Sequence, residues 1–202
     1  MRILILLLTT ILFSQFIYSQ CNTIVDIDDV DHVAQTGYYY KDTHNTFNQF
    51  EGHYKYTNGS TTFEIILEKM EMSTISSNRY CEDILIGAYK YVKDGILIYD
   101  KLNDLNNNYS NGNKYIISGN SILTGQYRGC DDCTANEKRV VLSIGEPEAH
   151  QYYDLFVRKI TYDGQEAIKI FIHLHTTITS VGAPPLPELK LPFGQELILI
   201  KQ

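Results

Sequence analysis

Three tight-turn signals, each between two runs of strand-forming residues, constrain the fold of this 202-residue chain more than any other feature. The turns are Asn58-Gly59, Lys93-Asp94-Gly95 and Asp163-Gly164. Asn-Gly and Asp-Gly pairs are typical of β-hairpins, because they tolerate the positive φ angles that the tightest hairpin turns require. The sequence therefore predicts three antiparallel hairpins, in "FEGHYKYTNGSTTFEIILEKMEM", "DILIGAYKYVKDGILIYDKL" and "YYDLFVRKITYDGQEAIKIFIHLHTT".

The residues within these runs alternate as strands do. Phe63, Ile65 and Leu67 alternate with Glu64 and Glu68, which is the period of a half-buried strand. Single strands are also predicted at "KYIISGNSILTG", "KRVVLSIG" and "GQELILIKQ", and no long stretch has a helical period with caps. We predict an all-β, antiparallel domain of about eight to ten strands over residues 47–202, after an acidic N-terminal segment, residues 21–46.

Hairpin-connected strands fit either an up-and-down barrel or a two-sheet β-sandwich. The apolar strand "ELILIKQ" would leave an exposed edge unless it paired with another strand. Pairing with the first strand of the domain would close the sheet, so we predict the barrel and keep the sandwich as the alternative. The segment 181–194 contains four prolines and is predicted to run across an outer surface.

The first twenty residues are predicted to be a signal peptide. Arg2 precedes an apolar run, and a polar stretch ending at Gln20 follows, which is the order of regions in a secretory leader. The run is shorter than the roughly 20 residues that span a bilayer, and no later segment predicts a transmembrane span. We expect an exported protein: periplasmic, cell-surface or extracellular. A lipid anchor on Cys21, directly after the leader, is the less favoured alternative because Gln20 is not small.

Two resemblances rest on these residues. Gly52-His53-Tyr54 resembles the Gly-x-Trp motif that opens the barrel in lipocalins and fatty-acid-binding-like proteins, with tyrosine in place of tryptophan. This resemblance implies a lipocalin-like barrel. Four blocks in order, "TIVDIDDVD", "FEGHYKYTNGSTTF", "CDDCTANEKRV" and "FGQELILIKQ", resemble a family of small secreted bacterial proteins known only as a domain of unknown function. That resemblance implies export and a shared fold, and no activity.

The even number of cysteines predicts disulfide bonds in an exported chain, with the pairing left open among Cys21, Cys81, Cys130 and Cys133. The Cys-x-x-Cys pair at 130 and 133 has three interpretations: a cross-linked turn, half of a metal site, or a redox pair. The adjacent Asp131 and Asp132 oppose redox chemistry, because negative charge raises a thiol pKa. We favour the cross-linked turn.

His173 and His175 are the most suggestive residues for metal chemistry. At positions i and i+2 of one strand they point to the same face, where a third ligand such as Glu146, Glu148 or His150 would complete a site for a metal-binding protein or metal-dependent hydrolase. Two polar side chains facing solvent are the favoured alternative. No Gly-x-Ser-x-Gly motif is present, and no catalytic residue and no cofactor is predicted.

Tyrosine is unusually abundant, with 16 residues, and combines an apolar ring with a hydroxyl that suits a partly polar ligand. Core packing explains such residues equally well. We predict a non-enzymatic barrel that binds a small apolar or amphipathic ligand through its inward residues, namely Tyr54, Phe63, Ile65, Leu67, Tyr89 and Tyr91. A cell-surface interaction module is the alternative. The formal net charge of −7 argues against nucleic acid as a partner.

Overall fold

The structure is a computed structural model that describes residues 21–29, 35–75, 80–126, 130, 132–148, 151–174 and 189–202. The predicted leader lies outside these residues, as do His150 and His175. The described residues contain no α-helix, and none of their helical turns is long and apolar enough to cross a membrane. They form one eleven-stranded sheet: β1 (Thr23–Asp26), β2 (Tyr38–Lys41), β3 (Gly52–Asn58), β4 (Thr61–Ile75), β5 (Tyr80–Lys93), β6 (Ile96–Asp100), β7 (Ile117–Thr124), β8 (Lys138–Glu146), β9 (Gln151–Tyr162), β10 (Gln165–His173) and β11 (Glu196–Lys201).

Eight of the strands close into a barrel in which every neighbouring pair is antiparallel. The order round the barrel is β3, β4, β5, β7, β8, β9, β10 and β11. β5 joins β7 where Gly87 pairs with Ile117. β11 returns to β3, where Lys201 pairs with Tyr54. The predicted antiparallel up-and-down barrel is therefore confirmed, including the closure by the C-terminal strand, and the two-sheet sandwich does not form.

All three predicted hairpins are present. In β5–β6 and β9–β10 both central turn residues have positive φ, 52° and 80° at Asp94 and Gly95, and 49° and 74° at Asp163 and Gly164. In β3–β4 the turn lies one residue later than predicted, because Asn58 still pairs with Thr61 and Gly59 takes the first central position with φ of 58°. The chemistry of the turn residues thus located each hairpin.

Three strands lie outside the barrel. Two of them pair with the parts of β5 that extend beyond its pairing with β7. β6 pairs with the last residues of β5, and β2 pairs in parallel with its first residues, at Tyr39 with Cys81. β1 adds in parallel to β2. The segment 21–46 therefore contributes two short strands, and Tyr39 and Tyr40 in it are buried. Four-residue strands carry too little alternation to be recognised from sequence.

The barrel has a lower end, where β3 begins, and an upper end, where the turns after β3 and β5 lie. Phe47 and Phe50 precede β3, are completely buried, and fill the lower end. The inward residues of β4 are at most 1 % exposed, as their alternation predicted: Phe63, Ile65 and Leu67.

A buried ion cluster fixes the N-terminal segment at the lower end. The ammonium nitrogen of Lys69 is 3.4 Å from Asp42 and 3.7 Å from Asp83, and both carboxylates are buried. Asp42 also accepts backbone hydrogen bonds from Thr46 at 2.7 Å and Phe47 at 2.8 Å. The cluster has one positive and two negative groups, but each carboxylate oxygen has a hydrogen-bond or ion-pair partner, which offsets the cost of burial. These contacts hold the segment in register against β4 and β5.

Candidate functional site

The six residues predicted to bind a ligand all point into the barrel and are at most 5 % exposed: Tyr54, Phe63, Ile65, Leu67, Tyr89 and Tyr91. The structure brings three of them together. The Phe63 ring stacks on Tyr89 with centroids 5.7 Å apart and lies 5.4 Å from the Tyr91 ring. Tyr54 instead lies at the lower end, beneath Lys201. Ligand binding by these residues stays a prediction.

A pocket of about 360 Å³ lies at the upper end, and we call it the upper pocket. Phe63 and Tyr91 line it from within the barrel. Polar residues in or next to the two hairpin turns form one part of its wall: Tyr56, Asn58, Thr61, Lys93 and Asp94. The stretch that leads into β11 forms the other part, with both apolar and polar residues: Leu189, Lys190, Leu191, Pro192, Phe193, Gln195 and Leu197. The upper pocket thus combines two buried rings with a polar rim.

Of the segment 181–194, residues 181–188 lie outside the described residues, and residues 189–194 do not run across an outer surface as predicted. Leu191 is only 5 % exposed, and the Phe193 ring packs edge-on against Tyr153 with centroids 4.6 Å apart. The backbone N–H of Gly194 donates to the carbonyl of Ile172 in β10. For residues 189–194 the prediction was wrong. It rested on the prolines, whereas the apolar residues of "LKLPF" alternate, so that one side of this stretch faces the core.

Glu146, the last residue of β8, lies beneath this stretch and is only 1 % exposed. Its Oε1 accepts hydrogen bonds from the backbone N–H of Lys190 at 2.5 Å and of Leu191 at 3.3 Å, and from the Tyr99 hydroxyl at 3.3 Å. Its Oε2 is also buried and has no hydrogen-bond partner among the described residues. The sequence analysis considered Glu146 only as a metal ligand. The missed signal is that Glu146 continues the inward series of β8: Val140, Leu142 and Ile144.

Three buried tyrosines surround this carboxylate. The Tyr89 hydroxyl donates to the Gly145 carbonyl at 2.9 Å, and the Tyr99 ring lies edge-on to Tyr89 at 6.2 Å. Burial raises the pKa of the Tyr89, Tyr99 and Tyr153 hydroxyls, and the negative charge of Glu146 raises each further. The three hydroxyls therefore stay neutral at physiological pH, close to a carboxylate that is itself buried.

The predicted histidine site is only partly described. His173 is exposed at the upper end of β10, where it contacts the rings of Phe156 and Phe171 at 6.5 and 6.3 Å. Within the described ranges, the single group of three potential ligands close enough to share a metal is Cys130, Asp132 and Cys133. Both of its sulfurs are used in a disulfide bond. A metal at His173 and His175 stays a prediction.

Two disulfide bonds confirm the prediction from the cysteine count and settle the pairing. Cys21 bonds to Cys81, with Cα atoms 5.9 Å apart, and Cys130 bonds to Cys133, with Cα atoms 5.4 Å apart. The near pair cross-links a turn, as favoured. The far pair ties β5 to the start of the N-terminal segment. A lipid thioether at Cys21 is incompatible with this bond, because one sulfur cannot form both.

A larger groove of about 760 Å³ lies on the outer wall of β9 and β10. It exposes Phe156 and Phe171 between charged side chains, but these charges neutralise one another. Arg158 pairs with Asp132 at 2.7 Å and also with Glu137, while Lys169 pairs with Glu196 at 3.1 Å. The upper pocket is the better candidate site because it opens between a rigid polar rim and buried rings.

Fold and site together define an eight-stranded up-and-down β-barrel, consistent with the resemblance to lipocalin-like barrels, with a small pocket at its upper end. The chain belongs to a family of unknown function (DUF6705), whose model matches residues 1–202. This confirms the resemblance to a domain of unknown function. No curated protein and no solved structure matches the chain.

Proposed function

We propose that the protein is an exported, non-enzymatic β-barrel that binds a small amphipathic ligand in the upper pocket. The observation that carries this proposal is the combination of the Phe63 and Tyr91 rings with a polar rim around about 360 Å³. Small-molecule sites are concave, of roughly 300–1,000 Å³, and oriented by a few polar groups. The upper pocket lies near the lower end of this range, and its wall exposes more polar than apolar surface, which suits a partly polar ligand. The size of the pocket favours a compact ligand with a short apolar part.

The rim supports binding because it is already ordered. The backbone N–H of Asp94 donates to the Thr61 hydroxyl at 3.0 Å, and the N–H of Gly95 donates to the Ser60 carbonyl at 3.0 Å. These bonds join the β3–β4 turn to the β5–β6 turn. A pre-organised rim lowers the entropy cost of binding, because fewer groups must be fixed when the ligand arrives.

Export is supported by the disulfide bonds, which persist in oxidising compartments and are rare in the cytosol. The signal-peptide pattern of residues 1–20 points to the same route. Native mass spectrometry of protein exported through its own leader tests this part. The expected mass is that of residues 21–202 with two disulfide bonds and no lipid on Cys21, with any co-purified ligand adding to it. Retention of the leader would contradict export.

Binding is tested by titration with the neutral fluorescent dye N-phenyl-1-naphthylamine. We expect saturable binding at one site per chain, and at least about tenfold weaker binding by Tyr91→Leu, which removes a lining ring but keeps apolar volume. Tyr162→Leu is the control, because Tyr162 is 50 % exposed at the lower end. A wild-type protein that does not bind the dye saturably, or equal loss in both variants, would overturn the proposal.

A further inference from the structure

The carboxylate of Glu146 is the one buried charge at the upper end that the described structure leaves incompletely satisfied. No described lysine, arginine or histidine forms an ion pair with it, and Lys190, whose backbone binds its Oε1, directs its own ammonium group to Glu148. A buried carboxylate oxygen without a partner is costly, because desolvation is not repaid by hydrogen bonds. Such a group in a native protein calls for a physical reason.

The tyrosines around Glu146 do not supply that partner. The hydroxyl of Tyr99 donates to the other oxygen, that of Tyr89 to the Gly145 carbonyl, and that of Tyr153 to Gln151 at 2.8 Å. These hydroxyls are therefore engaged elsewhere, although all three tyrosines lie close enough to feel the charge of Glu146. Neutral aromatic rings around a negative charge are the arrangement that recognises organic cations, through cation–π attraction and charge-assisted hydrogen bonds.

The upper pocket and Glu146 share a wall. Lys190 and Leu191 line the upper pocket, and their backbone N–H groups are the ones that bind Glu146. A second connection runs through aromatic rings. Phe63, which lines the pocket, stacks on Tyr89, and Tyr89 contacts Tyr99 edge-on. The Lys190–Leu191 peptide is therefore the part of the wall that separates the pocket from the carboxylate, and a ligand that reaches Oε2 must displace it. The net charge of −7 also favours approach of a cation.

We infer, on the basis of the proposed function, that the ligand is an amphipathic amine. Its protonated amino group binds Oε2 of Glu146 among the three tyrosine rings, and its apolar part lies on Phe63 and Tyr91. At Oε2 the negative charge of Glu146 disfavours carboxylates and phosphates. The two lysines of the pocket wall, Lys93 and Lys190, lie at its polar rim, and Lys190 is paired with Glu148.

Three probes of equal length test the inference: octylamine, 1-octanol and octanoate, each displacing the dye at pH 7. We expect octylamine to bind at least about tenfold more tightly than the other two, as a charge-assisted hydrogen bond implies. Glu146→Gln should remove this preference, because glutamine keeps an acceptor for the Lys190 and Leu191 N–H groups but carries no negative charge for the ammonium group. Glu148→Gln is the matched control: it removes the same charge two residues away, at the surface, and should bind like the wild type.

The outcomes separate the inference from the proposed function. If octanol displaces the dye but octylamine has no advantage, or if Glu146→Gln keeps the advantage, the amine inference is overturned and the barrel remains a ligand-binding protein. If the wild type does not bind the dye, both fail. Should Glu146→Gln not fold, as judged by far-UV circular dichroism, the ranking of the three probes on the wild type decides the question alone.

Discussion

Lys201 in β11 lies directly opposite Tyr54 in β3, and its ammonium nitrogen is 5.8 Å from the centre of the Tyr54 ring. The same nitrogen is 2.9 Å from Glu166. This contact lies where the last strand meets the first strand of the barrel. Tyr54 is the aromatic residue of the motif that resembles Gly-x-Trp. The contact therefore joins this motif to β11, the strand that closes the sheet.

Replacing Lys201 by alanine should lower the free energy of unfolding by about 1 kcal/mol, because a partly desolvated cation–π contact is lost at this closure. The measurement is equilibrium unfolding in urea. Lys159→Ala is the control, since Lys159 also pairs with Glu166 at 2.9 Å and no aromatic contact of its side chain is found in the described structure. Equal losses in both variants would show that the Tyr54 ring contributes nothing.

The two disulfide bonds should differ in their effect on stability. On the chain-entropy model, the Cys21–Cys81 bond contributes roughly 4 kcal/mol and the Cys130–Cys133 bond roughly 2 kcal/mol, because the first closes a much longer loop. Serine double variants, C21S/C81S and C130S/C133S, measure each contribution by urea unfolding under non-reducing conditions. A larger loss for the near pair would contradict the entropic account.

The buried ion cluster at the lower end should be sensitive to loss of its cation. Lys69→Met leaves the carboxylates of Asp42 and Asp83 buried without a counter-charge, and we expect a loss of about 3–5 kcal/mol in unfolding free energy. Lys90→Met removes an exposed partner, 2.8 Å from Asp100, and should cost at most about 1 kcal/mol. Similar losses in the two variants would mean that the cluster does not hold the N-terminal segment.

Glu82 in β5 should make stability fall as the pH rises. Burial raises the pKa of Glu82 from 4.5 to about 7, while a hydrogen bond from Asn120 opposes the shift. Between these values the folded protein holds a proton that the unfolded chain has released, so the contribution of Glu82 to unfolding free energy falls by at most about 1.4 kcal/mol per pH unit.

Urea unfolding at pH 5 and pH 8 measures this contribution. Glu82→Gln should lose less stability than the wild type between the two values, whereas Glu68→Gln, on the exposed face of β4, should behave like the wild type. An unchanged pH dependence in Glu82→Gln would show that Glu82 ionises normally in the folded protein.

Local patterns predicted much of the barrel. The pair Asp163-Gly164 located one hairpin to the residue, and the predicted turn Lys93-Asp94-Gly95 was one residue too long, since Lys93 still pairs with Ile96. The alternation from Phe63 to Leu67 identified the inward face of β4. The turn after β3 was displaced by one residue, since Asn-Gly signals a turn without specifying which strand pairing ends there. These predictions succeeded for one reason. The residues that specify a hairpin are close together in the sequence, so the pattern can be read without the tertiary structure.

The candidate site was only partly predictable. Phe63 and Tyr91 were recognised as inward residues, but Glu146 was considered only as a metal ligand, because its role depends on contacts with Lys190 and Leu191 more than forty residues away. The stretch around Leu191 was placed on an outer surface for the same reason. The neighbouring sequence does not show that the upper end of the barrel is open, or that the apolar side chains around Leu191 cover it.

The sequence by itself determined the strands from β3 onward, most of their turns, the direction in which their side chains face and the capacity for disulfide bonds. Each follows from backbone geometry and the period of two along a strand. The tertiary structure decided which cysteines pair, that the N-terminal strands add in parallel to β5, and that Lys69, Asp83 and Glu146 carry their charges inside. Pairing and burial depend on distances between residues remote in the chain, and those distances exist only once the sheet has closed.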